Sequence, residues 1–188
     1  MRRIRSRGGR RLASCELVGM GAHAATRSPS FPYRGCHVYS VTCCARYRRS
    51  LFTDAACVEA VTRQLLHLAG ANEFEVSAYC FMPDHVHLVL EATSLESGLS
   101  RLMNVWKQKT GYAHTRATGT KLWQNGYYDH VLRKDEDRLG VIAYVLSNPL
   151  RAGLVSDLRR YPFWGSGVWE RDQLLEAVQH LVPDCSRP

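Results

Sequence analysis

Two histidines, His85 and His87, lie two residues apart in an apolar stretch of the chain. Side chains alternate across a pleated strand, so both imidazoles should emerge on the same face of a sheet. Two imidazole nitrogens directed at one point are suitable ligands for a divalent cation. The alternative is an ordinary pair of half-exposed strand histidines, and the spacing alone does not separate the two interpretations.

A tyrosine and an asparagine, Tyr144 and Asn148, are four residues apart in a stretch with helical periodicity, so they share a helix face. A phenol near a divalent cation is a competent nucleophile towards phosphorus, and an amide oxygen is a hard ligand that completes a two-histidine site. Taken singly, Tyr144 also fits an amphipathic core position, and Asn148 fits a C-terminal helix cap before Pro149.

The charge of the chain favours a polyanionic partner. Its 188 residues carry a formal net charge of +8, and cations that neutralise phosphates release condensed counterions. Part of this charge lies in the arginine-rich residues 1–30, which could be a solvated tail or an organelle transit peptide. The positive charge makes nucleic acid the leading partner class. No apolar run approaches the roughly 18 to 20 residues of a membrane span, so no membrane role is predicted.

The seven cysteines are an odd number, and Cys43 and Cys44 are adjacent, which is a poor arrangement for a disulfide framework. They are interpreted as reduced thiols in a cytoplasm. No CxxC pair is present, so a thiolate zinc site is disfavoured.

The elements that would position these groups follow from the hydrophobic pattern. Strands are predicted over His37–Cys44, Phe74–Phe81 and His85–Glu91, and a short strand within Trp123–Arg133. Three main helices are predicted: one capped by Asp54 and ended by Gly70, one from Leu95 to Thr115 capped by Ser94, and one that begins at Asp135 and stops at Pro149.

The order β, α, β, β, α, β, α predicts an α+β fold in which helices cover an antiparallel sheet. Residues 1–30 are predicted to be a disordered basic arm and 31–155 the catalytic domain. Residues 156–188 are predicted to be an irregular tail with a short helix near Arg171 to Leu181.

Three blocks of sequence together resemble a known family. The stretch Met82–Val89 resembles the histidine-hydrophobe-histidine motif of the IS200-like single-tyrosine transposases, and Trp123–Arg133 and Tyr144–Val155 look like the branch called REP-associated tyrosine transposases. The blocks occur in the family's order, and the resemblance covers roughly residues 32–165. It implies a ferredoxin-like α+β sheet.

The resemblance also implies an activity, namely cleavage and rejoining of single-stranded DNA beside palindromic hairpins through a 5′-phosphotyrosine intermediate. His85 and His87 would bind a divalent metal, Tyr144 would attack the phosphate, and Asn148 would be a third ligand or an orienting group. Magnesium is the expected ion, with manganese as a substitute. The family further suggests a monomer or homodimer that acts in the cytoplasm at the nucleoid.

Further residues are candidates for DNA contact. Cationic side chains could hold phosphates, aromatic rings could stack on unpaired bases, and one histidine could contact DNA or transfer protons. The alternative is a solvated charged surface with ordinary core aromatics. The set is Arg46, Arg48, Arg49, Lys107, Lys109, Arg133 and Lys134 for phosphates, Trp123, Tyr127 and Tyr128 for stacking, and His130.

Two rival functions use the same residues differently. A catalytically idle protein could retain the basic sheet and bind DNA or RNA hairpins without cutting. A metal-dependent hydrolase of a small phosphoester would need the histidines but not Tyr144. The presence of His85, His87, Tyr144 and Asn148 together favours the enzyme.

Overall fold

A computed structural model describes residues 34–133 and 136–182. The predicted basic arm at 1–30 and the candidate Lys134 lie outside the described residues. The elements in chain order are β1 (Val38–Cys44), α1 (Ala55–Ala71), β2 (Phe74–Met82), β3 (His85–Ala92), α2 (Leu99–Thr118), β4 (Tyr128–Val131), α3 (Arg138–Arg151), β5 (Trp164–Gly165) and α4 (Arg171–Val178).

The five strands form one sheet in the order β4-β1-β3-β2-β5, and every neighbouring pair is antiparallel. The first four strands have the order of a ferredoxin-like sheet, in which each helical crossover skips one strand. The predicted α+β class and its antiparallel sheet are confirmed.

Two hydrophobic cores lie on opposite faces of this sheet. Helices α1 and α2 cover one face, where Leu65 and Trp106 are fully buried. Helices α3 and α4 cover the other, with Leu146 and Val178 at its centre. The sheet is therefore the middle layer of three.

Strand β3 divides its side chains between the two cores. Val86, Leu88 and Leu90 are fully buried against the α1–α2 layer, whereas Val89 belongs to the core under α3. Because His85 and His87 alternate with the first set, they lie on the α3 face of the sheet. The predicted separation of the histidines from the apolar residues of β3 is thus confirmed.

The boundaries of all three predicted helices differ from the prediction. Helix α1 continues through Gly70, which was predicted to end it, to Ala71, and Asn72 is its C-cap. The Asp54 side chain caps α1 through the amide of Ala56, as expected. Helix α2 begins at Leu99 rather than Leu95, because the hydroxyls of Ser94 and Ser97 accept bonds within a local turn and leave Leu95 76% exposed.

Helix α3 also departs from its predicted limits, since it is capped by Asp137 and continues through Pro149 to Arg151. A proline in a helix removes the donor for the carbonyl four residues earlier. Here Asn148 Nδ2 donates to that carbonyl, of Val145, at 3.1 Å and to the Tyr144 carbonyl at 3.0 Å. The side-chain amide replaces the missing backbone bond, so the helix does not stop.

The segment after residue 155, predicted to be an irregular tail, is part of the folded unit. Strand β5 pairs with β2, and Trp164 and Tyr161 are buried in the core under α3. The Tyr161 hydroxyl donates to the Phe81 carbonyl at 2.6 Å. At Gly165 a Cβ would lie 2.6 Å from the Tyr79 hydroxyl, so a larger residue there would require the Tyr79 ring to move.

Within residues 34–133 and 136–182, none of the helices has the length and apolar character needed to cross a membrane.

Replacement of Trp164 by alanine tests whether the C-terminal segment supports the fold. The ring is 3% exposed and its Nε1 donates to the Leu158 carbonyl at 2.9 Å. Trp164→Ala should lower the free energy of unfolding by about 3–5 kcal/mol in urea titrations. The control is Trp169→Ala, since Trp169 is 42% exposed and its loss should change stability by about 0.5 kcal/mol or less. Equal effects of the two changes would contradict the second core.

Candidate active site

The two histidines of β3 converge on one point. His85 is 5% exposed and His87 is half-buried, and their Nε2 atoms are 2.9 Å apart. The rings stand nearly perpendicular, at 82°. The strand geometry predicted from the sequence thus brings both imidazoles together.

Both remaining ring nitrogens are held by polar side chains. His85 Nδ1 is 2.6 Å from Oδ1 of Asp84, and His87 Nδ1 is 3.0 Å from Oγ1 of Thr42. Thr42 reaches His87 because the two residues are direct partners in the β1–β3 ladder. Neither Asp84 nor Thr42 was among the sequence candidates. The adjacency of Asp84 to the first histidine was a signal for it, whereas Thr42 could be found only from the strand register.

Burial keeps both imidazoles uncharged. It lowers the pKa of His85, against the opposing hydrogen bond from Asp84. Burial also lowers the pKa of His87, with smaller effects from His85 and from the positive charge of Arg48. Neutral imidazoles carry the lone pairs that a metal ligand needs.

The histidine pair fits a divalent cation. When two nitrogens each lie roughly 2.1 Å from one ion and the nitrogen–ion–nitrogen angle is about 90°, the nitrogens are roughly 3 Å apart. The observed separation of the two Nε2 atoms, 2.9 Å, is close to this value. Hydrogen bonds at the opposite ring nitrogens are the usual supports of ligating histidines. Among the described residues, no three His, Cys, Asp or Glu side chains group as a metal site. The remaining ligands would be amide, phosphate or water oxygens.

A strained turn places the positively charged side chain of Arg48 beside the histidine pair. Arg48 Nε is 2.8 Å from Asp84 Oδ2, and Arg48 also donates to the Cys44 sulfur at 3.0 Å. Tyr47 and Arg48 both adopt left-handed backbone conformations, with φ of 58° and 54°. Each costs on the order of 1–3 kcal/mol for a residue other than glycine. The Arg48 guanidinium, predicted to hold phosphate, is paired with Asp84, and its side chain is 41% exposed.

Helix α3 packs on the sheet face on which the histidines lie. Its first residue, Arg138, pairs at 2.6 Å with Glu91, near the end of β3 remote from the histidines. Val145 and Leu146 of α3 share the core on this face with Val89 of β3. Tyr144 and Asn148 therefore belong to the helix that covers the histidines' side of the sheet.

The catalytic candidates on α3, Tyr144 and Asn148, are both half-buried. Tyr144 is half-buried, its hydroxyl makes no hydrogen bond to the described residues, and the guanidinium carbon of Arg151 is 5.1 Å from its ring centre. The Asn148 amide nitrogen is used within the helix, which leaves Oδ1 as its acceptor. No hydrogen bond links either side chain to the histidine pair within the described part of the chain.

Two DNA-contact candidates have structural roles instead. The Trp123 ring is 7% exposed, packs on Phe52 and Trp106, and donates to Thr110 at 2.8 Å. It is a core residue and cannot stack on a base in this conformation. Lys107 donates to the carbonyls of Gln124 and Gly126, so its ammonium anchors a loop rather than facing solvent, and burial lowers its pKa.

The other candidates differ in their exposure. Tyr128 is 56% exposed and pairs with Thr42 in the β1–β4 ladder, so it shares the sheet face of the histidines. His130 lies on the same face and bonds to Glu136 at 2.9 Å. Tyr127 packs against the first core, and Arg46 is half-buried against the Tyr47 ring. The exposed cations of the set among the described residues are Arg48, Arg49, Lys109 and Arg133.

The chain belongs to the family described as Transposase IS200 like, whose profile matches residues 35–148. The matched segment contains His85, His87, Tyr144 and Asn148. The family resemblance predicted from the sequence is therefore confirmed.

Individual relatives are distant. The chain is 28% identical over 92 residues to the REP-associated tyrosine transposase of Escherichia coli K12, covering 48% of this chain and 53% of the relative. It is 23% identical over 101 residues to a Haemophilus influenzae protein that carries the same name provisionally, covering 48% and 57%. The alignments thus span about half the length of these relatives.

Among solved structures, the chain is similar to a REP-associated tyrosine transposase bound to a REP hairpin. The TM-score is 0.61 at 22% identity, and the match covers 73% of this chain and 81% of the other. At this identity the similarity establishes the shared fold.

Loss of one imidazole tests whether the histidine pair holds a cation. In the wild type, Mn²⁺ at about 100 times its dissociation constant should raise the free energy of unfolding by about 2.7 kcal/mol. His87→Ala should abolish that increase because one imidazole alone binds weakly. His67→Ala, an exposed histidine on α1, should retain it. Calorimetric melting with and without Mn²⁺ measures the difference, and an undiminished increase in His87→Ala would exclude this site.

Proposed function

We propose that this protein is a divalent-metal-dependent endonuclease and strand-transferase of single-stranded DNA, in which Tyr144 is the nucleophile. The observation that carries the proposal is the convergence of His85 and His87, with Nε2 atoms 2.9 Å apart, on the sheet face covered by the helix of Tyr144. The proposed role as a transposase rests on membership of the family, whose matched segment includes all four residues.

His85 and His87 would hold the cation, which we propose to be Mg²⁺, with Mn²⁺ as a substitute. Asn148 Oδ1 is the candidate for a third protein ligand, since the amide nitrogen is fixed to the helix. When bound, the cation supplies positive charge that stabilises the phosphate and the departing oxygen. Imidazole ligands suit Mn²⁺ better than Mg²⁺, so both ions belong in any assay.

The Tyr144 oxygen attacks the scissile phosphorus and forms a phosphotyrosine bond to the 5′ side of the break. The bond from phosphorus to the 3′-oxygen breaks, and that oxygen keeps the electron pair and takes up the proton that the phenol released to solvent. The energy of the phosphodiester is conserved in the protein–DNA bond. Attack by a 3′-hydroxyl on this bond reverses the step and joins strands without ATP.

Single-stranded DNA beside a palindromic hairpin is the proposed substrate. A net charge of +8 favours a phosphate backbone, and the exposed Tyr128 lies on the sheet face of the histidines, where it can stack on an unpaired base. The similar transposase solved with a REP hairpin supports this class of ligand. The protein acts as a monomer or homodimer.

A covalent adduct tests the nucleophile. Labelled single-stranded DNA with a palindromic hairpin and its flanks is incubated with the protein and Mg²⁺ or Mn²⁺, then separated on denaturing SDS gels. The wild type should give an SDS-resistant protein–DNA adduct, and Tyr144→Phe and chelator should each abolish it. Tyr112→Phe is the matched control, because Tyr112 is a 65% exposed tyrosine on α2, in the opposite helix layer.

The other outcomes separate the rival functions. Cleavage by Tyr144→Phe without an adduct would show that water is the nucleophile, and the protein would then be a hydrolase. Binding without cleavage across a range of hairpins would identify an idle hairpin-binding protein instead.

Truncation of Tyr128 tests the proposed DNA surface. Tyr128→Ala should weaken binding of single-stranded DNA by about 1–3 kcal/mol, because one stacking contact is lost. Fluorescence anisotropy with Tyr144→Phe as the background prevents cleavage during the titration. Tyr112→Ala in the same background should bind like its parent, and equal weakening by both changes would argue against a surface at β4.

A further inference from the structure

We infer that Asp84 and Thr42 are positioning residues: Asp84 holds His85 in the tautomer whose Nε2 lone pair faces a shared cation, and Thr42 allows His87 to adopt the same tautomer when the cation binds. The inference rests on the proposed function, because the cation is the one proposed for that site. It is supported by two contacts: His85 Nδ1 is 2.6 Å from Asp84 Oδ1, and His87 Nδ1 is 3.0 Å from Thr42 Oγ1.

Asp84 fixes the tautomer of His85. An ionised carboxylate has no proton to donate, so the short contact requires His85 Nδ1 to carry the hydrogen. In a neutral imidazole the other nitrogen, Nε2, then has no hydrogen and carries an available lone pair. That lone pair lies on the side facing His87 Nε2, 2.9 Å away, where both nitrogens can bind one cation.

Arg48 keeps Asp84 in this role. Its Nε lies 2.8 Å from Oδ2, while Oδ1 faces His85, so each carboxylate oxygen has one partner. A carboxylate occupied on both oxygens serves as a hydrogen-bond acceptor and is not available to swing towards the cation as a ligand. The turn that carries Arg48 is fixed to the same segment, because the Ala45 amide donates to the Asp84 carbonyl at 2.9 Å.

Thr42 permits the matching tautomer of His87. With Nε2 atoms 2.9 Å apart, the two histidines form a hydrogen bond when His87 Nε2 donates to His85, and the Thr42 hydroxyl then donates to Nδ1. A cation needs both Nε2 lone pairs, so the His87 proton must move to Nδ1. The Thr42 hydroxyl can rotate and accept a hydrogen bond from the protonated Nδ1, which an apolar side chain cannot do.

Asparagine at position 84 tests the first half of the inference. Arg48 requires an oxygen opposite it, so the amide nitrogen of Asp84→Asn should face His85 Nδ1 and force the proton onto Nε2. Mn²⁺ affinity, measured by titration calorimetry without DNA, should fall about 10–100-fold. Glu59→Gln is the matched control, since Glu59 forms an exposed ion pair with Arg63 on α1 and should bind like the wild type.

Valine at position 42 tests the second half. Thr42→Val should weaken Mn²⁺ binding about tenfold or more, whereas Thr42→Ser should restore it, because serine keeps the hydroxyl. Thr62→Val is the control, since the buried Thr62 hydroxyl has no hydrogen-bond partner among the described residues. Long-range proton–nitrogen NMR spectra of the metal-free chain give an independent readout, in which Asp84→Asn should move the His85 proton from Nδ1 to Nε2.

The outcomes distinguish this inference from the proposed function. If His87→Ala abolishes Mn²⁺ binding while Asp84→Asn and Thr42→Val stay within twofold of the wild type, the positioning roles are wrong and the metal site stands. If His87→Ala itself binds Mn²⁺ normally, the proposed metal site fails first. Should Asp84→Asn not fold, the NMR spectrum of the wild type decides the first half, since a His85 proton on Nε2 would contradict it. The comparison of Thr42→Val with Thr42→Ser decides the second half.

Discussion

Strand β3 is hydrogen-bonded on both sides, and the register of its two ladders determines the geometry of the site. The β1 ladder sets Thr42 opposite His87 and Cys44 opposite His85, while the β2 ladder sets Met82 opposite His85. A shift of one residue would turn both imidazoles into the core of α1 and α2. Val86, Leu88 and Leu90, which are fully buried there, oppose such a shift and thereby hold the histidines on the α3 face.

The second core gives α3 its place relative to those histidines. Trp164, Leu174 and Val178 follow α3 in the chain and pack with it on the sheet, so the segment after residue 155 supports the helix that carries Tyr144. Asn148 links the two requirements, because its amide nitrogen replaces the bond that Pro149 cannot make. One residue thereby keeps the helix intact and leaves its amide oxygen free of the backbone.

The features that follow local rules were predictable. Alternation in β3, the Asp54 cap of α1 and the i, i+4 pairing of Tyr144 with Asn148 all depend on neighbours within one element. Other features depend on distant residues. Trp123, a candidate for stacking on DNA, packs against Trp106, and Thr42 joins His87 across 45 residues. The error at Pro149 was local, because the adjacent Asn148 side chain replaces the bond that the proline cannot make. Composition alone could not place Trp164 in a core, because its partners come from the sheet and α3.

The proposed cation site has two neutral imidazole ligands, and no carboxylate is proposed as a ligand. Two neutral imidazoles leave the charge of a divalent cation undiminished, so its attraction for a phosphate is greater than it would be with an acidic ligand. The nearest carboxylate, that of Asp84, is held by Arg48 and by His85 and so acts through the imidazole. Arg48 also balances the charge of Asp84. Under the proposed function, the support of the metal ligand and the attraction of a polyanionic substrate would therefore depend on the same ion pair.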